Sequence, residues 1–383
     1  MMILEKKNIL SLLLSFTMLC FTKPFFTWFN AYITIIPIFI LLLYVLLNNY
    51  LVYRRLDLNF AILLIVVISV FFPFREFDKF SLYNIILIFL IILVSLIDKS
   101  VISKALDSFT DIMFFISIFT IFSYIFLMLN VPFPHFYINN EARMDRSFIY
   151  LLAVFLDSQS FSVGGINIYR ANGWFQEPGH FGIYLAMALI LVKETFTSLK
   201  GKVITLALIL TFSSSAYILY FLILILKNFN LNKIIFPISF IFLGFLAYLN
   251  IPFITSLMDN LFFYKFQTDS ILEDRSRGSD YLGEINLSNY FWGRGFEYLS
   301  LNEILVSDYR RFIVSSGYIS LIFLFIFFIV LFLDAVKKKN TILLCAVISI
   351  FIIFMHRSWM LYQGFIWLYL TMVIFLSKSI KFK

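Results

Sequence analysis

Ser320-Leu-Ile-Phe-Leu-Phe-Ile-Phe-Phe-Ile-Val-Leu-Phe-Leu333 contains one polar residue, Ser320, and is followed closely by Lys337-Lys338-Lys339. The apolar run reaches back to Phe312. An apolar helix of this length matches the ~30 Å hydrocarbon core of a bilayer, and the lysines supply an anchor at its end. The rest of the chain is of the same kind. Of 383 residues, 62% are apolar and 14% charged, and the mean hydropathy is +0.95. That composition indicates a polytopic membrane protein rather than a string of soluble domains.

Working outward, further apolar runs lie at 9–21, 31–47, 60–73, 82–97, 109–130, 180–193, 203–212, 216–226, 234–250, 341–355 and 359–376. They predict an all-α bundle of about twelve spans, with residues 1–383 forming a single integral membrane domain. Run 9–21 is read as the first span and not as a signal peptide. No small-residue cleavage site follows it, and Lys23-Pro24 does. The 203–226 stretch is one helix, or two bent at Ser213-Ser214-Ser215. Two polar stretches are too long for simple connections and are expected to be functional: 131–179 and 251–311. In the first, the apolar Ser147 to Leu156 segment is read as a re-entrant or interfacial helix.

Charge sets the expected orientation. A cytoplasmic N-terminus with about twelve spans puts Lys337 to Lys339 inside, as the positive-inside rule requires. An odd number of spans would put them outside. In this topology the only inner arginines are Arg54 and Arg55, and the only outer lysines are Lys23, Lys79 and Lys265. Orientation needs charge alone, whereas guanidinium grips phosphate or carboxylate through two parallel bonds. An arginine-rich outer face therefore points to anion recognition. The alternative is that these arginines are solvated and paired with the acids of the same loops. The formal charge of +8 is accounted for in this way without nucleic acid.

The polar stretch Arg170-Ala-Asn-Gly-Trp-Phe-Gln-Glu-Pro-Gly-His-Phe-Gly182 concentrates the chemistry. Arg170 is a candidate for contact with an anion, and Asn172 for hydrogen bonds to a polar ligand. Glu177 and His180 are candidate bases, with His180 expected in the first turn of a helix and facing outward. Glu177-Pro178 also reads as a helix start, so Glu177 could instead be a cap. Arg275, Arg277 and Arg294 in the second loop are further anion candidates, with Gly293 and Gly295 allowing close approach at Arg294. Arg310 and Arg311 read as interface anchors. Three histidines and two cysteines without ligand spacing indicate no metal site, and no nucleotide-binding glycine loop is present, so no cofactor is expected.

Arg170-x-Asn172-Gly173-x-Phe175-x-Glu177-Pro178-Gly179-x-Phe181-Gly182 resembles the signature of bacterial O-antigen polymerases of the Wzy type. Trp292-Gly293-x-Gly295-Phe296 and Ser316-Gly-Tyr-Ile-Ser320 agree with it, as does the layout. The resemblance implies a GT-C-like membrane fold in the bacterial inner membrane. Both termini would be cytoplasmic, and 131–179 and 251–311 would be periplasmic loops. It implies a glycosyltransferase that joins undecaprenyl-pyrophosphate-linked repeat units into O-antigen or a related polysaccharide. Its partners would be lipid-linked donor and acceptor glycans, membrane lipid, a chain-length regulator and a flippase, with no nucleic acid. The related O-antigen ligases share the layout but typically carry a histidine motif late in the second loop, and 251–311 contains no histidine. A flippase is the alternative of another class. It would need ionisable residues within its spans, and here they gather in the outer loops.

Overall fold

The computed structural model describes residues 2–28, 33, 35–48, 58–71, 82–140, 145–156, 161–163, 166–195, 197–227, 255, 290–295, 298 and 308–377. Within these the chain is mostly helical. The helices are α1 (Met2–Phe21), α2 (Ile35–Asn48), α3 (Leu58–Phe71), α4 (Leu82–Leu96), α5 (Lys99–Met128), α6 (Pro178–Leu191), α7 (Leu199–Leu210), α8 (Ser214–Lys227), α9 (Tyr309–Lys337), α10 (Thr341–Arg357) and α11 (Gly364–Ser377). Among the described residues, three helices are long and apolar enough to cross a membrane: Lys99–Met128, Tyr309–Lys337 and Thr341–Tyr362. Several shorter helices are equally apolar. Their exposed faces are greasy: Phe39, Leu43 and Leu47 of α2 lie four residues apart and are all more than half exposed. Such a surface suits lipid rather than water.

The run at 203–226 forms two helices. α7 ends at Leu210, Thr211 to Ser213 turn the chain, and Phe212 takes a left-handed φ of 46°. The expected span at 234–250 lies outside the described residues, as does most of 251–311.

The residues cluster into two compact units. The first comprises Met1–Thr22, Ile35–Leu106 and Asp269–Lys383. In it α9 packs on α3 and α10, α11 on α4 and α10, and α1 on α2. Close packing uses small residues: a Cβ on Gly364 would stand 2.5 Å from the Phe21 ring, as interfaces between membrane helices favour. Hydroxyls inside apolar helices return to the preceding turn. Ser15 reaches both the Ser11 carbonyl and the Ala105 carbonyl at 2.7 Å, and Thr371 donates to the Trp367 carbonyl at 2.6 Å. Both hydroxyls thereby find acceptors in apolar surroundings.

The second unit comprises Lys23–Thr34 and Asp107–Thr268. Here one expectation fails. Ser147 to Leu156 is not a helix. It falls in strands β2 (Asp145–Tyr150) and β3 (Ala153–Leu156), which form a three-stranded antiparallel sheet with β1 (His135–Asn140) in the order β1-β2-β3. A second pair joins β4 (Phe161–Val163) to β5 (Ile166–Ile168). A short apolar run has no periodicity that separates strand from helix. Here the turn decides. Leu151 takes φ 54°, the left-handed conformation that a two-residue hairpin requires. The paired Phe148 and Phe155 then stack at 5.7 Å. Among the described residues, then, the chain is mostly helical with two small sheets between α5 and α6, and not all-α.

Candidate functional site

Residues 170–182 form a folded arch held by backbone bonds within the second unit. The Ala171 amide donates to the Leu210 carbonyl at 3.0 Å, the Val154 amide to Gly173 at 2.7 Å, and the Phe25 amide to Trp174 at 2.7 Å. The Trp174 indole donates to the Leu152 carbonyl at 2.8 Å. Gly173 has φ 61°, and a Cβ there would meet the Phe181 ring at 2.8 Å. Both facts require glycine. Phe175 stacks on Phe181 at 5.5 Å and leans on Tyr184 at 4.9 Å. Gly182 brings α6 against α8, where an added Cβ would lie 2.5 Å from the Ala216 Cβ. The Lys227 ammonium donates to the Leu189 and Val192 carbonyls at 2.9 and 2.5 Å, closing the far end of α6.

This frame positions four of the expected residues. Arg170 Nε donates to the Thr211 carbonyl at 3.2 Å, at the turn between α7 and α8. Asn172 is fully buried, and among the described residues neither its amide oxygen nor its nitrogen has a hydrogen-bond partner. Glu177 occupies the N-cap position of α6 in extended conformation, with Pro178 in the first turn, and its side chain makes no cap hydrogen bond. Its backbone carbonyl accepts the first helical bonds, from His180 and Phe181 at 3.1 and 3.2 Å. His180 Nε2 lies 3.7 Å from Glu177 Oε2.

The expected outward orientation of His180 is incorrect. Its side chain is 4% exposed, against 17% for Glu177. The reason lies in α6 itself, in which every residue from Pro178 to Ile190 is buried. A helix surrounded on all sides has no outward face in its first turn. The result is a carboxylate that reaches solvent with an imidazole packed behind it, at a helix N-terminus that favours negative charge.

In the first unit, the Trp292-Gly293-Arg294 segment crosses a break in α9. Gly317 has φ 86° and ψ 168° inside that helix. A Cβ on Gly317 would lie 2.4 Å from the Gly293 nitrogen, and one on Gly293 would lie 2.5 Å from the Ser315 carbonyl oxygen. The two glycines thus touch backbone to backbone. Unwinding would strand the Val314 and Ser315 carbonyls, and the Arg294 and Gly295 amides take them at 2.7 and 3.0 Å. The Ile319 amide in turn donates to Phe291 at 3.2 Å. Broken helices within membranes need such satisfaction from the protein.

Arg294 lies at this crossing, its guanidinium carbon 5.7 Å from the Tyr290 ring centre and 5.8 Å from that of Tyr298. Its Nε is buried with no hydrogen-bond partner. Arg310 and Arg311, paired in the sequence reading, part company. Arg310 binds Asp308 through Nε and Nη2, at 2.7 Å for the latter. Arg311 has a buried, unpartnered Nε within electrostatic reach of the Tyr362 hydroxyl. That hydroxyl meets Ser315 Oγ at 2.5 Å and Ser316 Oγ at 3.1 Å. Arg311, Ser315, Ser316 and Tyr362 were not expected at a site. The one signal available was Gly317, a glycine after two serines in an apolar run. Arg275 and Arg277 lie outside the described residues.

No group of three or more His, Cys, Asp or Glu side chains that could hold a metal occurs among the described residues. The chain matches no protein-family model, no curated protein and no solved structure.

Proposed function

We propose that this chain is a polymerase of lipid-linked oligosaccharides, of the O-antigen type, with about twelve spans in a GT-C-like fold. It sits in the bacterial inner membrane with its termini in the cytoplasm. Its loops 131–179 and 251–311 face the periplasm. The observation that carries this reading is the Glu177–His180 pair at the N-terminus of α6, with Arg170 held at the adjoining turn. It is joined by the sequence signature that contains all three residues.

The chemistry is a single displacement. A sugar hydroxyl oxygen of one repeat unit attacks the anomeric carbon of another. The bond from that carbon to undecaprenyl pyrophosphate breaks, and the diphosphate leaves with the bonding electrons. The hydroxyl proton passes to the Glu177 carboxylate, the solvent-reaching member of the pair. His180 is the positioning residue behind it. Arg170 stabilises charge as it grows on the diphosphate, an effect strengthened where water is scarce. Asn172 offers a buried amide to a sugar hydroxyl. Arg275, Arg277 and Arg294 in the second loop are assigned the same class of anionic ligand.

Cells carrying Arg170→Ala or Glu177→Ala should display single repeat units in place of long chains, with the protein retained in the membrane. Long chains persisting in both variants would show that the catalytic assignment is wrong.

A further inference from the structure

The sheet of the second unit builds a cleft that the chemistry above does not use. In the β1–β2 register, His135 faces Tyr150 and Tyr137 faces Phe148. Residues two apart on a strand share a face with their cross-strand partners, so four rings stand on one side of the sheet. Tyr169 adds a fifth, edge-on to Phe148 at 5.8 Å. Asn130, in the left-handed turn that ends α5 (φ 52°), closes the other wall. The cleft has a volume of about 370 Å³.

Three features define what fits. The walls are largely aromatic, with Leu127, Val131 and Pro132 beside the rings, and among the described residues no lysine or arginine lines them, so no cationic side chain there draws a phosphate. Polar groups are interleaved with the rings: the Asn130 amide, the His135 imidazole and the tyrosine hydroxyls. Tyr150 Oη donates to the Val131 carbonyl at 2.5 Å, which fixes that ring and leaves its oxygen able to accept. The entrance is open, since Tyr137 is 60% exposed. Rings with a few fixed hydrogen-bonding groups are what a small polar ligand with an apolar face requires. Pyranose sugars have that construction.

We infer that the Asn130, His135, Tyr137, Phe148, Tyr150 and Tyr169 cleft is a stacking subsite for an uncharged sugar of the glycan. Its Tyr169 wall immediately precedes Arg170 in the chain, at the start of the arch that holds Glu177. The cleft's place in the reaction rests on the proposed function, but its capacity to bind sugar does not.

The test uses the full chain in lipid nanodiscs. The probe is oligosaccharide released by mild acid from the source cell's own surface polysaccharide, free of lipid. Saturation-transfer NMR should show contact with sugar ring protons. Tyr137→Ala should weaken binding by about tenfold or more, and Tyr137→Phe, which keeps the ring, should bind as the parent does. Tyr137 is mostly exposed, so neither change disturbs folding. Absence of sugar contact in the parent chain overturns the inference, as does equal binding by Tyr137→Ala. So does displacement of the sugar by short-chain phospholipid, which would mark the cleft as a lipid seat. The two readings fail separately. Tyr137-dependent binding in a chain that never lengthens glycans leaves the subsite standing and removes the polymerase. Lengthening with Tyr137-independent binding does the reverse.

Discussion

Asn172 is the residue whose burial is hardest to explain by folding alone. A buried amide without partners costs about 1–3 kcal/mol, and the fold gains nothing visible in return. Replacing it with leucine, which keeps the same branched heavy-atom skeleton, removes that cost. Asn172→Leu should therefore melt at the same temperature as the parent or higher, while glycan lengthening falls by at least about tenfold, the loss of one well-placed hydrogen bond. Thermal unfolding in detergent and a turnover assay on the same preparation measure both. A destabilised variant with full turnover would assign the amide a structural role. Beside it, Glu177 shows how a sequence reading can leave two roles open. Glu-Pro is a helix start and also a place for an acid to work. Its side chain makes no cap hydrogen bond, which leaves only attraction to the helix dipole as a capping role. No reading of residue types separates those two roles, because both use the same residue at the same position.

At the scale of elements, α9 was legible in position but not in form. Its apolar run hides the break at Gly317, which only the crossing at Gly293 explains. Alanine at 317 would have to adopt a conformation open to glycine and would collide with the Gly293 nitrogen. Gly317→Ala should cost at least about 3 kcal/mol, read as a lower melting temperature and loss of folded yield. The sheet of 135–156 was illegible for another reason: its apolar run fits either period, and the deciding feature is a left-handed Leu151, a residue type that gives no such warning. α5 begins ten residues before its apolar run, and in that added stretch Lys104 leaves the helix sideways to meet Asn8 at 2.9 Å. At its start Asp98 accepts from Lys7 at 2.9 Å. That bond, then the Ser100 amide, holds its carboxyl below the usual range. A depressed carboxylate stabilises the fold above its unfolded value of about 4 and stops doing so as pH falls through its folded value. The pair is partly exposed, so Asp98→Asn should cost only about 0.5 kcal/mol at pH 7. The difference from the parent should vanish in acid. An unchanged difference at low pH would mean that another interaction was lost.

For the whole molecule, composition made the membrane class legible, and the helices found at the apolar runs agree with it. Long polar loops could be located but not shaped. Their folding depends on contacts between residues distant in sequence, such as Val154 with Gly173 and Ala171 with Leu210. The candidate site was half legible. The motif named the residues, and the packing of α6 reversed the exposure expected of His180.

The central claim is that this chain alone joins lipid-linked glycans. Purified protein in nanodiscs, given undecaprenyl-pyrophosphate-linked repeat units and a chelator, should produce a ladder of longer glycans and release undecaprenyl pyrophosphate without nucleotide. Glu177→Gln should slow this by about 100-fold or more while remaining folded. A parent chain that yields no ladder, or yields one only with added metal or nucleotide, would contradict the account.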